Sequence, residues 1–112
     1  MKLPNAERAI VDIEKLRGYS LNPAHPEGKH KARVFAASLG FKMAEAEKLR
    51  DMILTAILTH EATHGATDEH GTRYRLDFET QGLLGAVMIR TAWHIDVGEI
   101  IPRLVSCYVK RK

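Results

Sequence analysis

Hydrophobic positions in the first half of the chain recur with the period of an α-helix. In the clearest run, apolar residues and one histidine fall at i, i+3, i+4, i+7, i+8 and i+11. This spacing predicts a helix over residues 44–60. A second helix is expected over residues 29–39, stopping at Gly40, because glycine readily takes the left-handed conformation that ends a helix. A shorter helix is expected to begin at Asp12, whose side chain can cap it, and to run toward Leu21.

Hydrophobic positions in the second half alternate with the period of a β-strand. The alternation covers residues 73–79, 86–95 and 103–109, with glycines at the intervening turns. Short turns between successive strands predict an antiparallel meander. For the last strand, strict alternation predicts two faces, with Val105, Cys107 and Val109 on one and Leu104, Ser106 and Tyr108 on the other.

This order of elements predicts an α+β fold, with N-terminal helices packed on one face of a three- to four-stranded antiparallel sheet. A fourth strand is possible over residues 9–13, in competition with the start of the first helix. The length of 112 residues predicts a single domain over residues 1–112, with a helical half over 5–60 and a strand half over 73–109.

Composition narrows the class of protein without identifying it. No apolar run approaches the ~20 residues that span a bilayer, so no membrane association is expected. The start, MKLPNAERAI, lacks the apolar core of a secretory signal, and the one cysteine, Cys107, cannot form an internal disulfide. These features predict a cytoplasmic protein. A net charge of +3 neither requires nor opposes a nucleic-acid partner.

The first candidate site is a histidine-rich run over residues 60–70, HEATHGATDEH. It contains a full match to HExxH and resembles the three-histidine signature of one zinc-protease clan, except at Thr67, where the clan has glycine. Histidines four residues apart share a helix face and can hold zinc, while the intervening glutamate activates a bound water. This interpretation assigns a zinc site to His60, His64 and His70 with Glu61.

The order of the elements favours a structural role for these histidines. Proteases of that clan place a sheet before the active helix, whereas all strand-like sequence here follows the helix. His60 and His64 extend the apolar stripe of the predicted helix, and the helix dipole favours a histidine at its C-terminus. We therefore expect no cofactor, with zinc as the alternative.

The second candidate site is a basic loop that leads into the predicted helix over residues 29–39. Residues 22–33, NPAHPEGKHKAR, hold two histidines, two lysines and one arginine. Free backbone N–H groups at a helix N-terminus attract phosphate. Histidines and cations beside such a helix N-terminus suit metal-free RNA cleavage. In that reaction one group removes the 2′-OH proton, another protonates the leaving oxygen and a cation stabilises the phosphorane. The loop candidates are Lys29, His30, Lys31 and Arg33, and the strands can add Arg90, Arg103, Ser106 and Tyr108.

These candidates also have structural interpretations. Loop histidines are often simply exposed, cations at this spacing often form a solvated helix face, and arginines on strands often pair with carboxylates across the sheet. Tyr108 can bury its ring, and Trp93 is expected in the core because it shares a strand face with apolar residues. In these interpretations His30 is an exposed loop residue. The solvated helix face consists of Lys29, Lys31 and Arg33. The strand arginines Arg90 and Arg103 pair with Asp77 or Glu79.

Four blocks of the sequence resemble a bacterial domain family of unknown function. The blocks are KLRGYSLNPAHPEGKHKARVFAASLGF, DEHGTRYRLDFE, VMIRTAWHI and PRLVSCYV, and they cover nearly the whole chain in the family's order. Members of that family occur alone and at the C-termini of large bacterial toxin or phage-like proteins. The layout is also similar to the toxin ribonuclease superfamily of barnase, EndoU, colicin RNases and RelE, which set N-terminal helices against a four-stranded antiparallel sheet and use no metal.

The resemblance implies an acid/base role for His30, with Lys29 and Lys31 as cationic helpers. It also places Arg90, Arg103, Ser106 and Tyr108 near a phosphate, although members of the superfamily vary their catalytic residues widely. The first hypothesis is a metal-independent ribonuclease-type toxin, with RNA as substrate and an acidic antitoxin or immunity protein as partner. The alternatives are a non-catalytic protein- or RNA-binding module of the same fold, and a zinc-binding protein.

Overall fold

The computed structural model describes residues 1–110, in which three helices precede a four-stranded sheet. The helices are α1 (Ile13–Lys15), which continues as a π-type turn over Leu16–Ser20, α2 (Lys29–Leu39) and α3 (Ala46–Ala56). The strands are β1 (Thr63–Asp68), β2 (Gly71–Gly82), β3 (Gly85–Asp96) and β4 (Arg103–Lys110). All neighbouring strands are antiparallel in the order β1-β2-β3-β4, which confirms the α+β fold.

The first two helices begin and end as the sequence predicts. The Asp12 carboxylate accepts a hydrogen bond of 3.0 Å from the backbone N–H of Glu14 and so caps α1. Gly40 ends α2 in the left-handed conformation, with φ at 71°. Within residues 1–110, no helix combines the length and the apolar character needed to cross a membrane.

The third helix is shorter than its hydrophobic period predicts. A 3-10 turn over Met43–Glu45 precedes α3, and the helix ends at Ala56, before His60. The His60 ring nitrogen Nδ1 lies 2.9 Å from the Ala56 carbonyl oxygen, which also accepts the backbone N–H of His60. The backbone N–H groups of Leu58 and Thr59 donate to carbonyls three residues back, so the α-helical pattern ends at Ala56 and the prediction of helix through residue 60 is wrong.

The fourth strand also lies elsewhere than expected. It is β1, directly before β2, and residues 9–13 supply only an isolated parallel bridge between Ile10 and Arg103. Every residue of β1 is exposed, so the strand has no apolar alternation that a sequence pattern could detect. The hairpin to β2 is held by the Asp68 carboxylate, which accepts the backbone N–H of His70 at 2.8 Å.

One face of the sheet packs against the helices, and the other is open. The inner face carries apolar side chains from β2, β3 and β4, which form one core with residues of α2 and α3. Burial raises the pKa of the Cys107 thiol on this face to about 12, so the thiol stays neutral. Trp93 is fully buried, as expected. The central members of this core are Phe35, Leu49, Ile53, Leu76, Phe78, Ile89, Trp93, Leu104 and Cys107.

A bulge in β4 changes the faces of its side chains. Ala92 pairs with Ser106, but the next residue of β3, Trp93, pairs with Leu104, so Val105 has no partner. Leu104 and Cys107 consequently both face the core. The prediction of strict alternation along this strand is wrong, because it puts Leu104 and Cys107 on opposite faces.

A buried hydroxyl links two inner-face side chains of β3. The Thr91 hydroxyl donates to the Leu76 carbonyl at 2.7 Å and accepts the indole N–H of Trp93 at 2.8 Å. Both Thr91 and Trp93 are fully buried, so neither group can turn to water if its partner is removed.

We expect Thr91→Val to destabilise the protein by about 1–3 kcal/mol, because the buried indole N–H and the Leu76 carbonyl lose a partner while the volume is kept. Thr91→Ser keeps the hydroxyl and loses one methyl group, at a cost of about 1 kcal/mol. Urea unfolding of the two variants measures both values. A Val variant at least as stable as the Ser variant would show that the hydroxyl is not needed.

Candidate functional site

A row of polar side chains crosses the open face of the sheet. Asp77 on β2 pairs in register with Arg90 on β3, and Arg90 pairs with Tyr108 on β4. Arg90 donates two hydrogen bonds to Asp77, from Nε to Oδ1 at 2.9 Å and from Nη2 to Oδ2 at 3.0 Å. The cross-strand pairing of Arg90 with Asp77, one of the structural interpretations, is therefore confirmed.

The two charges of this pair stabilise each other. The hydrogen bond from Arg90 is the main cause that holds the pKa of Asp77 below its usual value, although partial burial opposes the shift. The same hydrogen bond raises the pKa of Arg90, and Tyr108 acts in the same direction. Lys110 adds a weaker contact, with its Nζ 3.9 Å from Asp77 Oδ2. The guanidinium is thus charged but already paired.

Lys31 is held between two aromatic rings where α2 meets β4. Its Nζ lies 4.8 Å from the ring centre of Tyr19 and 5.5 Å from that of Tyr108. A lysine ammonium at these distances is attracted to the ring faces. Lys31 forms no ion pair with any carboxylate of residues 1–110, so its charge is available to an anion.

A groove extends along β4 on both sides of Lys31, and we call it the Lys31 groove. One side, of about 390 Å³, is lined by His30, Arg33 and Tyr108. The other side, of about 490 Å³, is lined by Tyr19, His25 and Ser106, with Asp12 and Glu14 also in its wall. Arg90 lies beside this groove, because it pairs in register with Tyr108. The structure therefore brings together five predicted site residues: His30, Lys31, Arg33, Ser106 and Tyr108.

His25 and Tyr19 also line this groove, although the sequence alone does not mark them as site residues. The His25 Nδ1 accepts backbone N–H groups of Glu27 and Gly28, both at 3.0 Å, so the neutral ring carries its proton on Nε2. Its ring packs edge-on against Tyr19, with centres 4.6 Å apart. Gly28 permits this loop, because a Cβ there would lie 2.2 Å from the Tyr19 carbonyl oxygen. No sequence pattern points to His25, because its contacts with the backbone N–H groups and with Tyr19 depend on the loop conformation.

Two predicted site residues lie away from the groove. Lys29 lines a pocket that contains Leu21 and Phe41, and does not line the Lys31 groove. Arg103 pairs in register with His94 near the other end of β4, and its Nη2 lies 2.7 Å from Asp96 Oδ2. Arg103 thus pairs with Asp96 and not with Asp77 or Glu79, and the structure does not bring it to Tyr108.

The histidine-rich run does not form the helix that a zinc site of the HExxH type requires. His60 lies in the turn after α3, His64 on β1 against Tyr74 with ring centres 5.2 Å apart, and His70 at the β1–β2 hairpin. The prediction that His60 and His64 share a helix face is wrong, because α3 ends at Ala56. Across residues 1–110, no three His, Cys, Asp or Glu side chains are placed to hold a metal ion together.

Glu61, the proposed water-activating group of that motif, is engaged in ion pairs. Its carboxylate contacts the amino group of Met1 and lies 3.7 Å from the Lys2 ammonium. The hydrogen bond with the Met1 amino group is the main cause that lowers the pKa of Glu61. This carboxylate therefore pairs with cations of the first two residues.

The Asp77–Arg90 pair makes stability depend on pH in a defined direction. Because the pKa of Asp77 is lower in the folded than in the unfolded chain, its ionisation stabilises the fold above about pH 4. That stabilisation is lost as the pH falls through the lowered pKa that Asp77 has in the folded protein. We expect Asp77→Asn to be less stable than the wild type at about pH 7, with a difference that shrinks below about pH 4.

Thermal unfolding of both proteins across this pH range tests the expectation. Asp51→Asn is the matched control, because Asp51 is exposed and its nearest ion-pair contact, to Arg50, is 3.9 Å long. A stability difference for Asp77→Asn that stays constant into acid would show that the pair does not shift the ionisation.

Comparison with known proteins identifies a family but no individual relative. The family described as Domain of unknown function (DUF6883) matches residues 2–111, which confirms the resemblance to a domain family of unknown function. No curated protein and no solved structure shows a significant match. Since the match covers nearly the whole sequence, the chain belongs to the DUF6883 family.

Proposed function

We propose that the protein binds RNA in the Lys31 groove and cleaves it without a metal ion. The observation that carries this proposal is the position of the Lys31 ammonium, fixed between Tyr19 and Tyr108 and unpaired with any described carboxylate. His30 and Arg33 line the same groove. An unpaired cation beside an imidazole and a phenol suits a phosphodiester, whose charge grows in the transition state.

The groove offers the groups that an internal transesterification needs. In the proposed step, a ring nitrogen of His30 takes the proton of the ribose 2′-OH, and the 2′ oxygen bonds to phosphorus. The bond from phosphorus to the 5′ oxygen breaks, and the Tyr108 hydroxyl gives that oxygen its proton. Lys31 stabilises the phosphorane. The products are a 2′,3′-cyclic phosphate and a 5′-OH, and the proton on His30 then passes through water to the Tyr108 phenolate, which restores both groups.

The remaining groove residues have supporting roles. Arg90 acts as a positioning residue, since its guanidinium is engaged by Asp77 while the residue lies in register beside Tyr108. Ser106 and the Nε2–H of His25 offer neutral donors on the other side of Lys31. Neutral donors hold phosphate oxygens without the cost of burying further charge.

A toxin role and an acidic partner follow from the same chemistry. A toxin that cleaves RNA must be blocked in the cell that makes it, and the most direct inhibitor covers the groove. His30, Lys31 and Arg33 present positive or ionisable groups there, so an antitoxin or immunity protein with a carboxylate-rich surface is the complementary partner.

A second candidate function is RNA or protein binding without turnover. The pairing of Arg90 with Asp77 favours it, because two N–H groups of the guanidinium donate to the Asp77 carboxylate and its charge is already paired, which leaves less of it to a transition-state phosphate. The same fold would then present Lys31 and Arg33 as contacts to an anionic partner.

We expect purified protein to cleave a labelled RNA in excess EDTA, and Lys31→Gln to reduce the rate by about 100-fold or more. Lys48→Gln is the matched control, because the Lys48 ammonium also lies over an aromatic ring, that of Phe41 at 5.4 Å, outside the groove. Equal cleavage by the wild type and both variants would indicate a contaminating nuclease or another site. RNA binding that is lost in Lys31→Gln, with no cleavage by any protein, would favour the binding module.

Tyr108→Phe separates catalysis from binding. The variant keeps the ring that contacts Lys31 but removes the hydroxyl, so we expect cleavage to fall by about 100-fold while RNA affinity stays within about twofold. His30→Gln should show the same pattern. Cleavage rates under single-turnover conditions and filter-binding affinities measure the two quantities. An unchanged rate in Tyr108→Phe would exclude the phenol as the proton donor.

A further inference from the structure

A second concave site lies beside α2, and we call it the Phe41 pocket. It is formed between α2, the loop after α1 and the Met43–Glu45 turn, and has a volume of about 530 Å³. Its floor is apolar, formed by the accessible side chains of Ala36, Met43 and Ala44 over the buried Leu21, Ala32 and Phe41. The small side chains of Ala36 and Ala44 leave room there for a flat, apolar group.

Three cations surround this pocket. Lys29 and Arg33 lie one turn apart on α2, and Lys42 lies at the start of the Met43–Glu45 turn. None of the three forms an ion pair with a carboxylate of residues 1–110, and no acidic residue is among the described lining. The carboxylate of Glu45, three residues after Lys42, accepts the backbone N–H of Lys42 at 2.8 Å.

We propose that the Phe41 pocket binds a nucleotide, with the base against the apolar floor and the phosphate between the cations. A single carboxylate needs one cation, whereas three unpaired cations suit two or more negative charges, such as those of a nucleotide 5′-monophosphate or of successive phosphates along an RNA strand. Arg33 lines both this pocket and the Lys31 groove, so the two sites adjoin at this residue of α2. The pocket therefore accepts the base of a residue that flanks the cleaved phosphate, an assignment that rests on the proposed RNA substrate.

The pocket can be tested with nucleotides alone, without any cleavage assay. In amide NMR titrations, uridine and adenosine 5′-monophosphates should shift the signals of Ala32, Ala36 and Phe41. The affinity of each should exceed that of its nucleoside and of inorganic phosphate by about tenfold, because base and phosphate contribute together. Decanoate serves as an apolar anion with a single charge.

Two variants probe the two halves of the site. Lys42→Gln should weaken nucleotide binding by about threefold to tenfold, and Ala36→Leu, which fills the pocket, should abolish it. Arg8→Gln is the charge-matched control, because Arg8 is exposed and lies in the Ala6–Arg8 turn, outside the pocket. The same spectra report whether Ala36→Leu is folded, and Lys42→Gln tests the site if it is not.

The outcomes distinguish the pocket from the proposed RNA cleavage. Nucleotide binding at the pocket in a protein that never cleaves RNA supports the pocket and overturns the catalytic proposal. RNA cleavage with no nucleotide-induced shifts overturns the pocket alone. Equal affinity for nucleoside and nucleotide, tighter binding of decanoate, or shifts confined to the Lys31 groove would each overturn the assignment.

Discussion

The burial of Trp93 and Thr91 against the helices fixes the side of the sheet that each residue of β3 faces. Its indole N–H needs a buried acceptor, which the Thr91 hydroxyl supplies, and that hydroxyl also bonds to the neighbouring strand through the Leu76 carbonyl. Because side chains alternate along β3, fixing Thr91 and Trp93 inward places Arg90 on the open face. The polar row from Asp77 to Tyr108 is thus a consequence of how the core packs.

The helical layer is attached to the sheet at the edge where the Lys31 groove lies. The buried Ser20 hydroxyl donates to the Cys107 carbonyl of β4 at 2.9 Å, which uses a backbone acceptor that an edge strand would otherwise expose. Tyr19, the preceding residue, is thereby held beside the strand, and Lys31 lies between its ring and that of Tyr108. One buried hydrogen bond therefore helps to position residues from three elements.

Sequence periodicity predicts the elements that bury an apolar face and misses those that do not. α2, β2 and β3 show the expected periods because one side of each packs in the core. β1 has no such side, and it forms through backbone pairing with β2, so no apolar pattern precedes it. The gathering of His30, Lys31 and Tyr108 was predictable in part, from a basic loop near a polar strand. Their partners His25 and Tyr19 were not, because an edge-on ring contact and a ring nitrogen that accepts backbone N–H groups depend on the loop conformation.

The unpaired Val105 makes the length of β4 as important as its composition. This one residue lets Leu104 and Cys107 both face inward while Tyr108 stays beside Arg90. Substitutions at Val105 leave the inward and outward directions of these side chains unchanged. Loss or gain of a single residue between Arg103 and Tyr108 would instead turn either the core side chains or those of the polar row to the wrong face of the sheet. Related chains that keep both the buried core positions of β4 and the polar row should therefore differ in residue type over this segment, but not in the number of residues.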